Sequence, residues 1–597
     1  MRYLLCGINA KYIHSNLAIF CLKAYAEKNG PAGAIYLIRE YTINHYVENI
    51  LQDLYEAKAD VIIFSCYIWN ISFVRELAGE LKKVNPELAI WVGGPEVSYD
   101  AERFLQDNPA VDLVMQGEGE QVFTELVTKW EAEYGVGASE LHSDRKPVLF
   151  TSSDPGHGVA YRDNDQIINT GFAPLMDLNQ VPFAYEDFRL FEHKILYYET
   201  SRGCPFRCSY CLSSVDKTVR FRSLELVFEE LQKFLDAKVS QVKFVDRTFN
   251  CNKKHAMAIW NYIQEHDNGI TNFHFEISSD LLDEDALVLF SKMRPGLIQL
   301  EIGVQSTNPP TIDAIHRHMD LDKLFENVDK VHQMGNIHQH MDLIAGLPFE
   351  NYEQFRKSFN DLYVHMPDQL QLGFLKVLKG TCMEQEVAEY GIRYRSNPPY
   401  EVLQTKWLSY DEVIKLKGVE ELVEMYYNSG QYTFTLSYVM PFFESPFDFF
   451  EEFSKEYRGK GCHKMNYNRL AKYEILRDFL MGQNMDMPYL DEMLLLDMYL
   501  RENMKSRPTW AGDLSVYKKE WKELYRNQGA RLFPDEWQAG TYDSKKAANQ
   551  SHLEVFHFNV EKLLDEKKLE PGRFLCLFDY GKRNPLNQNV KIRQIYT

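Results

Sequence analysis

The sequence contains no apolar run of about twenty residues, the length that a helix needs to cross a bilayer. Ten cysteines in 597 residues are also too few for a disulfide framework. The first residues, from Met1 to Cys6, read as the start of a buried strand and lack the layout of a secretion signal. Together these absences predict a cytoplasmic protein without a membrane partner.

Positive charge is also scarce. The chain has 66 lysines and arginines against 86 aspartates and glutamates, which gives a formal net charge of −20. Such a charge disfavours an extended, non-specific footprint on nucleic acid or on an anionic membrane. Because hydrophobic residues make up 45% of the chain and charged residues 25%, the composition is that of a globular protein, with about three or four domains at this length.

Three of the cysteines lie close together. Cys204, Cys208 and Cys211 have C-x3-C-x2-C spacing, in a loop directly after an apolar strand. Three thiolates at these spacings can bind one [4Fe-4S] cluster and leave its fourth iron without a protein ligand. A zinc site would ask for a fourth cysteine or histidine at matching spacing, and none follows locally. We therefore expect these cysteines to be the metal ligands and the catalytic centre.

This loop resembles the signature of the radical S-adenosylmethionine (SAM) superfamily, in which the residue before the last cysteine is aromatic. Tyr210 occupies that position and is a cofactor-binding candidate. The resemblance implies that SAM binds the open iron and is cleaved reductively. It also implies an external low-potential electron donor such as flavodoxin or ferredoxin.

Residues 1–145 alternate short apolar runs with helical stretches, which is typical of a doubly wound, Rossmann-like α/β sheet. Ligands of such sheets bind beyond the carboxyl ends of the strands. The predicted strands are 3–8, 34–38, 61–66, 88–92 and 111–115. The cofactor-binding candidates at their ends are Asn9 after the first strand, Ser65, Tyr67 and Trp69 after the third, Gly93, Gly94 and Glu96 after the fourth, and Gly117, Glu118 and Gly119 after the fifth.

The two glycine motifs, 93–96 and 117–120, let the backbone approach a large ligand. Upstream of a radical SAM loop, they resemble the cobalamin-binding domain of class B radical methyltransferases. The resemblance implies cobalamin as a cofactor. The Asp-x-His-x-x-Gly motif that supplies a histidine to cobalt is absent, so the lower face of cobalamin is left either to His14 or to a covering side chain, Tyr67 or Trp69.

Residues 146–190 form a looser, proline-containing connector with a hairpin at 159–168. The next region, 191–394, has six apolar strands at βα spacing, which predicts a partial (β/α)6 TIM-type barrel with its site at the carboxyl ends of the strands. The predicted strands are 194–200, 242–245, 273–277, 297–304, 341–345 and 370–377.

Polar side chains alternate along two of these strands. Glu276 and Ser278 share one face of the third strand, and Glu301 and Gln305 share one face of the fourth. Because carboxylates that point into a barrel need partners, we expect these residues to bind the amino group or ribose hydroxyls of SAM. An ion pair with a barrel arginine or lysine is the alternative. Gly346 ends the fifth strand, where its backbone can approach adenine.

Segment 246–250 follows the second barrel strand, where relatives contact the amino end of SAM. The Gly-Gly-Glu sequence that usually makes this contact is absent. The sequence therefore leaves the partner of that amino group open.

Residues 395–597 have long helical patterns rich in tyrosine, phenylalanine and glutamate, with strand-like pieces at 555–558 and 574–578. They resemble a carboxyl-terminal region of unknown function found in one branch of these enzymes, and we expect them to bind or cap the substrate.

The whole resemblance implies methylation of an unactivated carbon through methylcobalamin and a 5′-deoxyadenosyl radical. Two alternatives keep the enzyme class: a radical rearrangement or cyclisation without methyl transfer, and a modified tRNA base as the substrate, contacted by Lys545, Lys546, Lys582 and Arg583. A third is a non-catalytic cobalamin carrier or sensor. A small molecule or a peptide also remains open as the substrate.

Overall fold

The computed structural model describes residues 1–134, 156–163, 166–216, 218–483, 487–504 and 506–595. The first part of the predicted connector, 146–155, lies outside these residues. The chain forms two compact units, which are described separately below. The first comprises Met1–Ile337, Gly346–Asn351 and Phe374–Ser409, and the second comprises His338–Ala345, Tyr352–Gly373 and Tyr410–Thr597.

The amino-terminal part of the first unit alternates strands and helices, as its sequence pattern predicts. Side chains alternate across each strand, so Leu4 and Cys6 of the first strand pack in one core cluster while Tyr3 and Leu5 pack in another. The elements are β1 (Arg2–Asn9), α1 (Leu17–Asn29), β2 (Ile35–Thr42), α2 (Val47–Glu56), β3 (Val61–Ser65), α3 (Ile71–Val84), β4 (Ala89–Gly93), α4 (Pro95–Ser98), α5 (Ala101–Asp107), β5 (Leu113–Met115), α6 (Gly119–Tyr134), β6 (Val159–Asp163) and β7 (Gln166–Asn169).

Within the described ranges, the strand order of this sheet is β2-β1-β3-β4-β5-β6-β7. The pairs among β1 to β5 are parallel, which confirms the doubly wound fold. The hairpin at 159–168 was predicted as part of a connector. Instead, β6 pairs with β5, with Val159 opposite Met115, because its apolar residues are buried against this sheet.

The second sheet of the first unit is parallel, with β8, β11, β12 and β13 as successive neighbours. Two short strands, β9 and β10, pair with each other and bracket the cysteine loop. The elements are β8 (Leu196–Tyr198), β9 (Ser201–Arg202), β10 (Arg220–Phe221), α7 (Leu224–Asp236), β11 (Gln241–Phe244), α8 (Lys253–Glu265), β12 (Asn272–Ile277), α9 (Glu284–Phe290), β13 (Ile298–Gln305), α10 (Pro309–Ala314) and α11 (Leu321–Met334).

Along the chain, the alternation continues with β14 (His338–Ala345), α12 (Tyr352–Tyr363) and β15 (Gln369–Phe374). Each of the six strands predicted for the barrel region is therefore a strand, with ends that differ by a few residues. The first unit resumes with α13 (Cys382–Glu386), β16 (Arg393–Tyr394) and β17 (Val402–Gln404).

The carboxyl-terminal region is mainly helical, as predicted. The two strand-like pieces belong to an antiparallel sheet of order β18-β19-β20, whose last strand the sequence pattern did not reveal. The elements are α14 (Tyr410–Leu422), α15 (Thr433–Val439), α16 (Pro446–Gly459), α17 (Arg469–Leu480), α18 (Met487–Arg501), α19 (Lys518–Leu532), α20 (Pro534–Gln538), α21 (Ser544–Asn549), β18 (Ser551–Phe558), α22 (Val560–Glu566), β19 (Pro571–Arg583) and β20 (Val590–Ile595).

Many aromatic residues of this region build its core. The rings of Phe453 and Phe479 stack with centroids 4.6 Å apart, and Tyr426, Tyr432 and Tyr473 form a buried cluster beside them. Across the part of the chain that the structure describes, no helix is both long enough and apolar enough to span a bilayer.

A buried carboxyl in α18 gives the second unit a pH-dependent stability. Asp497 accepts hydrogen bonds from the backbone N–H groups of Phe434 and Thr435, at 3.1 and 2.7 Å, and burial raises its pKa to about 7. Folding therefore favours the protonated form. Between about pH 4 and pH 7 the free energy of unfolding should fall by up to about 1.4 kcal/mol per pH unit. Thermal unfolding of the whole chain at several pH values should show a flatter profile for Asp497→Asn, and parallel profiles would contradict this prediction.

Candidate active site

A cavity of about 620 Å³ lies within the first unit, where the loops after β1, β3, β4 and β5 face residues that flank the cysteine loop. Tyr197, Glu199 and Arg202 reach it from β8 and β9, and Arg247 reaches it from the segment after β11. Nine of the predicted cofactor-binding residues line it: Asn9, Ser65, Tyr67, Trp69, Gly93, Gly94, Gly117, Glu118 and Gly119.

Two glycines of this cavity lie where a side chain would collide with neighbouring residues. Gly94 has φ +112°, and a Cβ on it would lie 2.6 Å from the carbonyl oxygen of Cys66. Gly117 has φ +85°, and its Cβ would lie 3.2 Å from the ring of Phe172. Because glycine alone adopts such conformations readily, the loops can turn tightly and present backbone to a ligand. This cradle fits a large group such as a corrin.

The third-strand loop carries two aromatic residues into the cavity wall. The rings of Tyr67 and Trp69 stack with centroids 4.3 Å apart and planes within 6°. The indole N–H of Trp69 donates to the carbonyl of Ile8 at 3.0 Å, and Asn70 accepts from the N–H of Tyr67 at 2.8 Å. The pair is therefore held in place, which is what covering one face of a flat cofactor would require.

His14 also lines the cavity, but one of its ring nitrogens is engaged. Its Nδ1 lies 2.6 Å from the hydroxyl of Tyr197 on β8. Burial lowers the pKa of His14, so the ring is neutral at pH 7. Only Nε2 is then left for a metal, and ligation of cobalt by His14 stays a prediction.

The glutamates of the second glycine motif form ion pairs with the strands that bracket the cysteine loop. Glu120 pairs with Arg202 of β9, and Glu118 pairs with Arg220 of β10. Arg202 also binds Glu199, with its Nε 2.8 Å from the carboxylate. Burial opposes ionisation of Glu120, but Arg202 outweighs it and lowers the pKa of that carboxyl. The carboxylate of Glu118 thus holds β10, the strand that follows the cysteine loop. The sequence did not predict this role.

Replacing Arg202 should destabilise the folded protein. In Arg202→Met, the buried carboxylate of Glu120 and the half-buried carboxylate of Glu199 lose their shared guanidinium, and we expect the free energy of unfolding to fall by about 3–5 kcal/mol. Chemical denaturation of the full chain measures it. The matched control is Arg189→Met, whose exposed pair with Asp187 should matter little. Adding Glu120→Gln to Arg202→Met should restore part of the loss, whereas a strictly additive double variant would contradict the pairing.

The cysteine loop is held by backbone contacts of Ser209, the residue that follows Cys208. The N–H of Ser209 donates to the carbonyl of Ile315 at 2.9 Å, and the N–H of Met383 donates to that of Ser209 at 2.8 Å. Cys208 is buried, and Arg317 donates to its sulfur at 3.7 Å.

The other two ligand candidates are half-buried. Cys204 lies 3.6 Å from the hydroxyl of Thr248, and none of the described cysteines, Cys211 included, forms a disulfide. Tyr210 is near Arg317 and Cys208, and burial raises its pKa. Three free thiols on one short loop are the donor set that an open [4Fe-4S] cluster needs.

The barrel carboxylates have protein partners. Glu301 lies 2.8 Å from Nζ of Lys243 and 3.0 Å from Nε2 of His274. Its contact with Lys243 is the ion pair that we gave as the alternative to SAM binding. Glu276 is opposite Glu301 in the register of β12 and β13. Neither residue lines the cavity, and their binding to SAM stays a prediction.

Four more candidates also lie away from the cavity lining. Ser278 donates to Asp280 at 2.5 Å, and Gln305 ends β13 with φ +75°. Gly346 has φ +88°, and a Cβ on it would meet Val402 at 2.7 Å, so β17 explains this glycine. Glu96 was predicted to face the cofactor. Instead, its buried carboxylate accepts a hydrogen bond from Tyr400 and lies 3.5 Å from Nζ of Lys379.

Sequence reasoning missed the arginines of this site. Arg202, Arg220 and Arg317 contact Glu120, Glu118 and Cys208, which are 82, 102 and 109 positions away in the chain. Arg247 is different, because it lies two residues after a predicted barrel strand, where functional side chains gather. Its neighbour Asp246 is buried and accepts from the hydroxyls of Thr200 and Ser201, both at 2.6 Å.

Three family models match the chain. One described as a B12 binding domain matches residues 3–127, and one described as the radical SAM superfamily matches residues 198–362. The third, a protein of unknown function (DUF4080), matches residues 388–578.

Similar proteins bear related names. An uncharacterized methyltransferase of Pyrococcus horikoshii, PH0819, is 26% identical over 56% of this chain and 70% of its own length. The cobalamin-dependent radical SAM methyltransferase TokK of Streptomyces tokunonensis is 25% identical over 65% of this chain and 57% of its own. The solved structure of the cobalamin-dependent SAM radical enzyme OxsB, with aqua-cobalamin and SAM bound, has a TM-score of 0.55 at 15% identity, covering 91% of this chain and 81% of OxsB. That likeness concerns the fold.

Proposed function

We infer that this chain, a radical SAM enzyme with a B12-binding domain, methylates an unactivated carbon of a small-molecule substrate. Its cofactors are cobalamin, a [4Fe-4S] cluster and SAM. The observation that carries the proposal is the single cavity lined both by the glycine loops of the B12-binding domain and by Tyr197, Glu199 and Arg202, which precede the cysteine loop. A substrate there would be close to both cofactors.

When bound, the cluster supplies reductive cleavage of SAM and cobalamin supplies a carrier for the methyl group. The protein contributes placement. Cys204, Cys208 and Cys211 would hold the cluster, while backbone at Gly93, Gly94 and Gly117 would receive the corrin.

The ion pairs of Arg202 and Arg220 support this placement by joining the cobalamin loops to the cysteine loop. A reaction between groups held in fixed proximity gains rate from that arrangement alone. No general acid or base is assigned, because the cofactors carry the hard chemistry.

The test is anaerobic reconstitution with iron, sulfide, cobalamin and methyl-labelled SAM. A low-potential donor, flavodoxin or ferredoxin by our proposal, supplies electrons, and a cell extract supplies substrate. We expect 5′-deoxyadenosine together with a labelled product. Formation of 5′-deoxyadenosine with a product that carries no label would favour rearrangement or cyclisation. Absence of 5′-deoxyadenosine in fully loaded protein would favour a carrier or sensor.

A modified tRNA base receives less support. Of the basic residues proposed to contact phosphate, Lys582 pairs with Asp535 and Glu536 at 3.1 and 3.0 Å. Arg583 donates to the backbone carbonyl groups of Arg501 and Gln588. These contacts and the net charge of −20 argue against a phosphate-binding patch at these residues. Binding of purified tRNA at low salt, lost on Lys545→Ala with Lys546→Ala, would revive this substrate class.

A further inference from the structure

Arg247 is the charged residue of the cavity that the ion-pair network leaves out. The carboxylates of Glu118, Glu120 and Glu199 are engaged by Arg202 and Arg220. Within the described part of the chain, the guanidinium of Arg247 makes no hydrogen bond and no ion pair within 4 Å, although its side chain is accessible in the cavity.

The position of Arg247 is close to both cofactor regions. It follows β11 at the carboxyl end of the second barrel strand and lines the same cavity as Tyr67 and Glu199. Burial opposes ionisation of Arg247, but the nearby groups Glu276, Cys211, Glu199 and Tyr67 outweigh it and raise the pKa of Arg247. Cys211 belongs to the cysteine loop and Tyr67 to the third-strand loop of the B12-binding domain. Arg247 thus faces the region between the two, where the proposed substrate carbon must lie.

An arginine at this position disfavours binding of a positively charged group beside it. SAM carries a sulfonium and an ammonium group, and a fixed guanidinium repels both. Arg247 itself is therefore not the partner of the amino group of SAM. A guanidinium does match planar or tetrahedral oxyanions, because its N–H groups form two parallel hydrogen bonds with carboxylate or phosphate.

We propose that Arg247 binds an oxyanion of the substrate, a carboxylate or a phosphate, and so assigns the substrate to the class of anionic small molecules. This inference rests on the proposed function, because it places the substrate between the two cofactor regions. The inference specifies the charge of the substrate, which neither the family models nor the named relatives specify for this chain.

The test measures anion binding in the full chain with cluster, cobalamin and SAM bound. Inorganic phosphate and acetate are the probes, titrated anaerobically by calorimetry at low chloride. We expect the wild type and Arg103→Met, a control on the surface helix α5, to bind at least one probe. Arg247→Met should weaken that binding by about tenfold or more. Arg247→Lys should fall between, because it keeps the charge and loses the two-point geometry.

Two results would overturn the proposal. One is equal binding of both probes by the wild type and by Arg247→Met, or binding of neither probe by the wild type. The other concerns which anion Arg247 binds. If Arg247→Met weakens the binding of SAM but not the binding of decarboxylated SAM, Arg247 binds the carboxylate of the cofactor. Formation of 5′-deoxyadenosine, measured in the same variants, reports on the proposed function separately, so the two failures are distinguishable.

Discussion

Cys208→Ala should reduce formation of 5′-deoxyadenosine from SAM to background. An open [4Fe-4S] cluster depends on all three cysteines of the loop, and Cys208 is the one that is buried and contacted by Arg317. Replacing it removes one of the three proposed iron ligands, so the reconstituted variant should also hold less iron. The measurement is mass spectrometry of 5′-deoxyadenosine, together with iron analysis, after anaerobic reconstitution.

The matched control for this substitution is Cys382→Ala, because Cys382 is an exposed free thiol outside the loop. It should retain wild-type iron and 5′-deoxyadenosine. Cobalamin binding by Cys208→Ala separates a missing ligand from a misfolded chain, since it should be preserved. A Cys208→Ala protein that still forms 5′-deoxyadenosine at the wild-type rate would refute the assignment of the cluster to this loop.

Gly94→Ala should lower cobalamin affinity by about tenfold or more, which corresponds to at least about 1.4 kcal/mol. The new Cβ would lie 2.6 Å from the carbonyl oxygen of Cys66 and 3.1 Å from its nitrogen, and φ +112° is itself unfavourable for alanine. The loop after β4 must then move away from the cavity that it lines. Absorbance titration of the full chain with hydroxocobalamin measures the effect.

Gly79→Ala provides the comparison in the same domain. Gly79 lies inside helix α3, and a Cβ there would meet nothing within 4 Å. Alanine should therefore leave cobalamin affinity unchanged and stabilise the helix by about 0.5–1 kcal/mol. If both glycine variants bind cobalamin as the wild type does, the loop after β4 is not part of the cobalamin site.

Most strands of the first unit and the local motifs could be predicted from the sequence. Buried parallel strands read as continuous apolar runs, so β1, β3 and β4 could be predicted nearly to their ends. The cysteine spacing and the glycine motifs are signals of the same kind, because their chemistry depends on residues that are close in the chain. They were enough to predict nine residues that line the cavity of the first unit.

The partners of the charged side chains, in contrast, depend on the tertiary structure. Glu118 was predicted as a ligand residue in a glycine loop and Glu120 is its neighbour in the same motif. Only the fold brings Arg220 and Arg202 to them across 102 and 82 positions. Glu96 likewise meets Tyr400, 304 positions away. Ion pairs between distant segments leave no periodic trace in a single sequence, because either partner alone looks like an ordinary surface charge. The same reason explains why Arg247, which has no such partner among the described residues, could be recognised only after the others had been paired.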